Sequence, residues 1–367
     1  MKIALIITGL SMGGAEKQVC ALADKLAINN EVMLISLSSD KVINTPENKK
    51  IQLISLRMNK TPCGFISAII RARKILGKFK PDILHSHMFH ANIFSRVLRL
   101  FYNKPALITT AHSSNEGGTL RMFTYRITDC MSTITTNVSE EAVTSFIEKK
   151  AVKKNKIIAM YNGIDTELFI YSEINRTRIR QELNISNSTP LLLAVGRLTK
   201  AKDYPNLLKA FSSISTTSHA HLAIIGDGEE KDNLISLAKE LNIYSKIHWL
   251  GLKKNVHEWM SACDLFILSS AWEGFGLVVA EAMSCKRIVI GTDCGGVKEV
   301  IGNNGFVVPP NDSEALSLCI EKALNLSSVE KKNIGLNARK HIENNFSLDS
   351  IITKWISLYS KLTKNYS

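Results

Sequence analysis

The feature that most constrains this chain is a regular alternation of short apolar runs with longer stretches of helical periodicity. Apolar runs at residues 2–8, 32–37, 51–56, 83–85, 106–110 and 132–135 are separated by helical patterns at 15–27, 65–79, 91–101 and 140–148. The alternation restarts with runs at 191–195, 221–225, 247–250, 265–268 and 287–291, and helical patterns at 204–214, 231–241, 256–262 and 277–284. Strand and helix in succession mark βαβ units around parallel sheets. At 367 residues the chain exceeds one ordinary core, so two doubly wound α/β domains are expected. Residues 161–165, with the polar stretch that follows to Pro190, are where the break is expected. That gives an N-terminal domain over 1–165 and a C-terminal domain over 166–346. Residues 347–367 predict a helix capped by Ser347, with Leu348, Ile351, Ile352, Trp355, Leu358, Tyr359 and Leu362 on one face. Its apolar face is expected to pack back toward the N-terminal domain.

The formal charge of +13 favours polyanionic partners. From Lys41 to Lys104 basic residues, among them Arg71, Arg73, Lys74, Lys78, Arg96 and Arg99, meet little acid beyond Glu47 and Asp82. The helical patterns at 65–79 and 91–101 look amphipathic and basic, and a solvated face competes there with a surface for anionic lipid headgroups. Nucleic acid is not expected, because no basic–aromatic interleaving or known module accompanies the charge. Seven scattered cysteines, never spaced C-x-x-C, argue against a disulfide framework or zinc site and suit a reducing cytosol. The N-terminal apolar run is too short for a signal peptide. No run of about 18 apolar residues predicts a membrane span, so membrane contact is expected to be peripheral.

Four features carry chemistry. Gly13 and Gly14 lie in a turn between the first strand and first helix, where free amides can meet an anion. Arg197 ends the first strand of the second half and Lys202 follows five residues on, a fork and a point charge able to clamp a diphosphate. Glu273 and Glu281 bracket the turn Gly274–Phe275–Gly276–Leu277 after a predicted strand. There freed amides and two carboxylates can address sugar and ribose hydroxyls. His85, His87 and His112 fall at the carboxyl ends of predicted strands.

Together these residues resemble the retaining glycosyltransferases of family 4, with Asn162–Gly163–Ile164–Asp165, Gly226–Asp227–Gly228 and Gly295–Gly296 supporting the E-x7-E signature of Glu273 and Glu281. The resemblance covers nearly the whole chain and implies the GT-B architecture, two Rossmann-like doubly wound domains facing a central cleft. It also implies roles. The N-terminal domain would bind acceptor through Gly13, His85 and His87, and the C-terminal domain would bind a nucleotide sugar. Gly14, Arg197 and Lys202 would hold the donor diphosphate, Glu281 the ribose, and Gly251 the nucleobase. Glu273 with the backbone of Gly274, Phe275, Gly276 and Leu277 would hold the transferred sugar, while His112 and Glu273 would serve catalysis. No metal or other cofactor is implied. The segment 84–92 looks like enzymes of O-antigen and capsule assembly, which implies a polyprenyl-diphosphate-linked saccharide as acceptor, and the family's most frequent donors imply a hexosyltransferase using a UDP-sugar. Such an enzyme would be cytoplasmic and peripheral on the inner face of the membrane.

Three other classes compete. A Rossmann oxidoreductase needs G-x-G-x-x-G, which the chain lacks, since Gly228 is followed by Glu229, Glu230 and Lys231. A nucleotide-sugar epimerase or hydrolase of the same architecture would turn over donor without acceptor. A silent nucleotide-sugar sensor gets no encouragement from the intact Arg197, Lys202, Glu273 and Glu281.

Overall fold

The computed structural model describes residues 1–11, 13–38, 43–114, 116–215 and 218–364. Met12 of the glycine turn and Lys41 of the basic segment lie outside the described residues. Two compact units form, one from Met1–Gly163 with the chain from Leu348 onward, the other from Ile164–Ser347.

The first unit runs β1 (Lys2–Ile7), α1 (Gly14–Leu26), β2 (Glu31–Ser36), β3 (Gln52–Ser55), α2 (Pro62–Phe79), β4 (Ile83–His87), α3 (Phe89–Leu98), β5 (Ala106–Ala111), α4 (Thr119–Thr128), β6 (Ile134–Asn137), α5 (Glu140–Glu148) and β7 (Ile157–Ala159). The second runs α6 (Glu173–Glu182), β8 (Leu191–Val195), α7 (Tyr204–Ser215), β9 (His221–Ile225), α8 (Lys231–Glu240), β10 (Ile247–Gly251), α9 (Val256–Ala262), β11 (Leu265–Leu268), α10 (Leu277–Ser284), β12 (Ile288–Thr292), α11 (Val297–Ile301), β13 (Phe306–Val308), α12 (Ser313–Leu324) and α13 (Ser328–Phe346). Helix α14 (Leu348–Lys364) returns to the first unit.

Both sheets are parallel, ordered β3-β2-β1-β4-β5-β6-β7 and β10-β9-β8-β11-β12-β13. Each reverses its winding at one place, between β1 and β4 in the first and between β8 and β11 in the second. Loops leaving the carboxyl ends of strands at such a reversal splay apart and open a crevice, the usual ligand site of open α/β sheets. Among the described residues, no helix is long and apolar enough to cross a membrane.

Local sequence sets the element ends. Thr61 caps α2 by accepting from Gly64 N at 3.1 Å, with Pro62 in the first turn. Ser327 and Glu330 form a capping box on α13. On one face of the first sheet, α1 and α14 share a core in which Val19, Leu22 and Leu26 meet Ile351, Trp355 and Tyr359. Helices α2 and α3 cover the other face through Leu76, Phe79, Phe94 and Leu98.

Several expectations shift. Strand β4 extends two residues past the predicted run, to His87, so His87 joins His85 as a strand residue. Helix α3 is mostly core, not a basic surface. Arg96 is fully buried and donates to Tyr125 O and Thr128 Oγ1 at 2.9 Å, and to Thr135 Oγ1 at 2.9 Å. Arg99 is half-buried and donates to Thr133 Oγ1 at 2.8 Å. The polar stretch before Pro190 also contains a helix, α6. Its Arg176 and Arg180 reach Asp264 at 2.7 and 3.3 Å, which pins α6 to the foot of β11.

Candidate functional site

In the second unit the carboxyl ends of β8, β9 and β11 bring three predicted loops together. Gly226 adopts φ +152°, and a Cβ there would overlap the carbonyl of Gly196. Gly228 presses likewise on the backbone of Leu198, while Leu198 N donates to Asp227 O at 3.0 Å. The Gly226–Asp227–Gly228 turn is thus a backbone mould for the loop that carries Arg197. Arg197 itself is exposed.

Lys202 sits one turn further on, where its Nζ pairs with the Glu273 carboxylate. Ser270 Oγ donates to Glu273 Oε1 at 2.9 Å, Ser269 Oγ to Lys202 O at 2.9 Å, and Ala271 N to Ala201 O at 2.9 Å. The two loops are zipped together, and the cation and carboxylate meet at the seam. A bland ion pair is one use of this arrangement. The other is a preformed cradle, in which Lys202 turns to an incoming diphosphate and Glu273 to a hydroxyl.

The glutamate loop is also held from behind. Gly295, at φ +56°, lies so close to the Glu273 carbonyl that a Cβ would overlap it, and Gly296 N donates to Gly274 O at 3.0 Å. Gly276 caps α10 in the left-handed region at φ +82°, and of the amides in the first turn Val279 N already donates to Gly276 O at 2.9 Å. Phe275 is buried against Phe346, ring centroids 5.6 Å apart, so only its backbone can meet a ligand. Glu281 is 7% exposed on the first turns of α10, and Gly251 ends β10 at φ +62° with open space where a Cβ would stand. Replacing Gly295 by alanine should push the Glu273 backbone away and lower kcat/KM by about a hundredfold, the cost of a misplacement near 1 Å. Circular dichroism should show the fold intact; wild-type kinetics would contradict the role of this contact.

The first unit gathers histidines at the ends of β4 and β5. His112 is half-buried, its Nε2 3.3 Å from His87 Nδ1, and His87 is 3% exposed. His87 Nε2 has no hydrogen-bond partner among the described residues. It lines a cavity of about 20 Å³, shared with Gln18, Thr110, His112, Asn162 and Trp355. That space suffices for one water. His85 differs: it is fully buried, with Nδ1 2.7 Å from Tyr359 Oη and Nε2 2.6 Å from Thr110 Oγ1. Both ring nitrogens are spent inside the core, so the acceptor contact expected of His85 is replaced by a positioning role that ties α14 to β5.

The anion site expected at Gly13 and Gly14 is altered too. Glu16, 7% exposed, folds back over Gly13 and accepts from Ser11 Oγ at 2.9 Å. A carboxylate already sits at the amino end of α1, which weakens the case for a diphosphate beside Gly14. Sequence reasoning missed Glu116, whose Oε1 accepts from His112 N at 2.8 Å and so fixes the strand end bearing that histidine. A carboxylate four residues after a strand-end histidine was the available signal.

Burial keeps these imidazoles neutral. Desolvation lowers the His112 pKa from 6.5 to about 4, lowers His85 to about 3, and holds His87 well below 6.5. The unfolded chain therefore binds more protons than the fold below pH 6.5. Stability should fall as pH drops from 6.5 through about 4, with His112→Asn flattening part of the slope. Urea midpoints at pH 7 and 4.5 check this; equal midpoints would contradict it.

With this geometry in place, family models account for most of the chain. Glycosyltransferase Family 4 matches residues 12–168, and Glycosyl transferases group 1 matches residues 175–341. The N-acetyl-alpha-D-glucosaminyl L-malate synthase of Bacillus anthracis is 30% identical over 76% of this chain and 74% of its own length. The chain belongs to glycosyltransferase family 4. Another family member, from Campylobacter jejuni, is the N-acetylgalactosamine-N,N'-diacetylbacillosaminyl-diphospho-undecaprenol 4-alpha-N-acetylgalactosaminyltransferase, 27% identical over 83% of this chain and 84% of the relative. The fold is shared with Anabaena HepE crystallised with UDP, at TM-score 0.83 and 21% identity over 99% of this chain and all of that one. The protein is thus a GT-B glycosyltransferase, and its two units are the two Rossmann-like domains of that fold.

Proposed function

We propose that this glycosyltransferase transfers a hexose or N-acetylhexosamine from a UDP-sugar, with retention and without a metal, to an undecaprenyl-diphosphate-linked saccharide in the assembly of a bacterial surface polysaccharide. The observation that carries the reading is the seam in the second unit, where Lys202 meets Glu273 beside the amino end of α10. Arg197, Lys202 and the first-turn amides of α10 would take the negative charge growing on the departing diphosphate, which is electrostatic leaving-group catalysis. Glu273 would orient the sugar, Glu281 the ribose diol and Gly251 the base, with the backbone from Gly274 to Leu277 framing the sugar.

Glu273 already accepts from Lys202 and Ser270, which suits a hydroxyl acceptor better than a free nucleophile. The step proposed is a same-face displacement. The acceptor oxygen bonds to the anomeric carbon as the bond to the diphosphate breaks, and the acceptor proton passes to the departing phosphate oxygen. Neutral His112 and His87 would steer sugar and acceptor hydroxyls without adding charge. The acceptor class is that of the Campylobacter relative, and the uridine nucleotide that of HepE.

The lipid-linked acceptor would be met at the inner face of the cytoplasmic membrane. On α2, Ile66 and Ile70 are 59% and 63% exposed among exposed Arg71, Arg73, Lys74 and Lys78. On α4, Leu120, Phe123 and Ile127 form a second exposed apolar stripe beside Arg126. Apolar groups framed by cations suit anionic headgroups. A panel of UDP-, GDP-, ADP- and dTDP-sugars titrated by calorimetry tests the donor reading. Tight binding of a UDP-sugar, lost in Arg197→Ala, supports it; binding indifferent to that change sinks it.

A further inference from the structure

The second unit has a recess at the edge opposite to the donor loops. Pro190, Asp264 and Ile288, at the amino ends of β8, β11 and β12, form its floor, and its volume is about 470 Å³. That falls within the range of small-molecule sites. Four cations line it: Lys286, Arg287, Lys331 and Lys332.

Asp264 is the acidic residue of the lining, and its carboxylate is already held by Arg176 and Arg180. Glu330, next in sequence to Lys331, is folded back on Ser327, accepting from its N and Oγ at 2.8 and 2.7 Å. The positive charge is therefore not neutralised from within. Part of it is rigid. Arg287 donates to Cys285 O and Cys263 O, both at 2.9 Å, and its guanidinium lies 4.5 Å over the Tyr171 ring. The Lys286 backbone takes φ +58° in the turn after α10. Like charges held around one recess repel one another unless an anion joins them. Lys331 Nζ donates to Leu324 O at 2.7 Å, so two anchored cations, Arg287 and Lys331, stand beside the ammonium groups of Lys286 and Lys332, a set that matches phosphate oxygens. Leu336 supplies an apolar wall for a sugar or a base, beside the Tyr171 ring that Arg287 already covers on one face.

We infer that this recess is a second anion site, one that takes a small soluble phosphate ester such as a sugar phosphate or nucleotide. The recess is floored by a sheet edge and is not a flat face, which favours a free molecule over a lipid headgroup. The inference uses none of the donor-loop residues, so it and the proposed function can fail separately.

The probe is inorganic pyrophosphate, titrated calorimetrically into the full chain carrying Arg197→Ala and Lys202→Ala, which removes the donor cradle. Saturable binding of one pyrophosphate is expected. Adding Lys286→Asn and Lys332→Glu should weaken it at least tenfold, asparagine being suited to the left-handed backbone at 286. Should that combination fail to fold, Lys332→Glu alone, on an exposed position, should still weaken binding several-fold. Absence of binding in the cradle-less protein, or unchanged affinity in Lys332→Glu, overturns the site. Vesicles containing phosphatidic acid form the second arm. Sedimentation that Lys332→Glu abolishes and pyrophosphate cannot compete would assign the recess to lipid and overturn the soluble ligand.

Discussion

Substituting Lys202 by alanine should lower kcat/KM by about two to three orders of magnitude, and Arg197→Ala should cost a similar factor. That is the usual loss, ~3–4 kcal/mol, when one donor to a developing oxyanion is removed. Lys202 stands 21% exposed at the seam with Glu273, and Arg197 is exposed, so neither supports a core. Melting temperatures should therefore stay within a few degrees of wild type. The Glu273→Gln protein should lose activity comparably, and adding Lys202→Ala to it should cost less than the two effects summed, because both act on one bound donor. Full additivity, or near-normal activity in either cation variant, would reduce the Lys202–Glu273 pair to a structural ion pair.

The largest stability effect should come from α14. Trp355 is 4% exposed, sits in the core shared by α1 and the first sheet, and lies 4.5 Å from the His85 ring. Trp355→Ala should cost about 3–5 kcal/mol. That corresponds to a fall on the order of 10 °C in the melting of the first unit. Tyr359→Phe removes only the hydroxyl on His85 Nδ1 and should cost about 1–3 kcal/mol, the penalty of stranding one buried polar group. Differential scanning calorimetry resolves both. A Trp355→Ala protein melting like wild type would mean that α14 adds little to that core.

Why some of this was legible in the sequence and some was not follows from range. Alternating periodicity and strand-end glycines are local, so the parallel α/β class, the loop bearing Arg197 and the turn between Glu273 and Glu281 could be read directly. What depends on distant contact could not. Arg96 and Arg180 look like surface charges until the threonines, carbonyls and Asp264 that bury them arrive from residues far along the chain. His85 resembles a ligand-facing strand end until Tyr359, 274 positions away, takes its Nδ1. Helix α4 escaped notice because Leu120, Phe123 and Ile127 place its apolar stripe outward while Met122 and Tyr125 face the core. The purpose of Gly226 and Gly295 is equally non-local, since each gives way to a carbonyl on another loop.

The central claim is transfer from a nucleotide sugar to a lipid-linked glycan, and nucleotide release measured by NMR with and without acceptor tests it most directly. The reaction would contain a UDP-sugar and an undecaprenyl-diphosphate-linked saccharide in detergent. The account predicts UDP release only when both are present, with the product keeping the anomeric configuration of the donor. Release at the same rate without acceptor would contradict it and point to an epimerase or hydrolase, and an inverted product would contradict the same-face step.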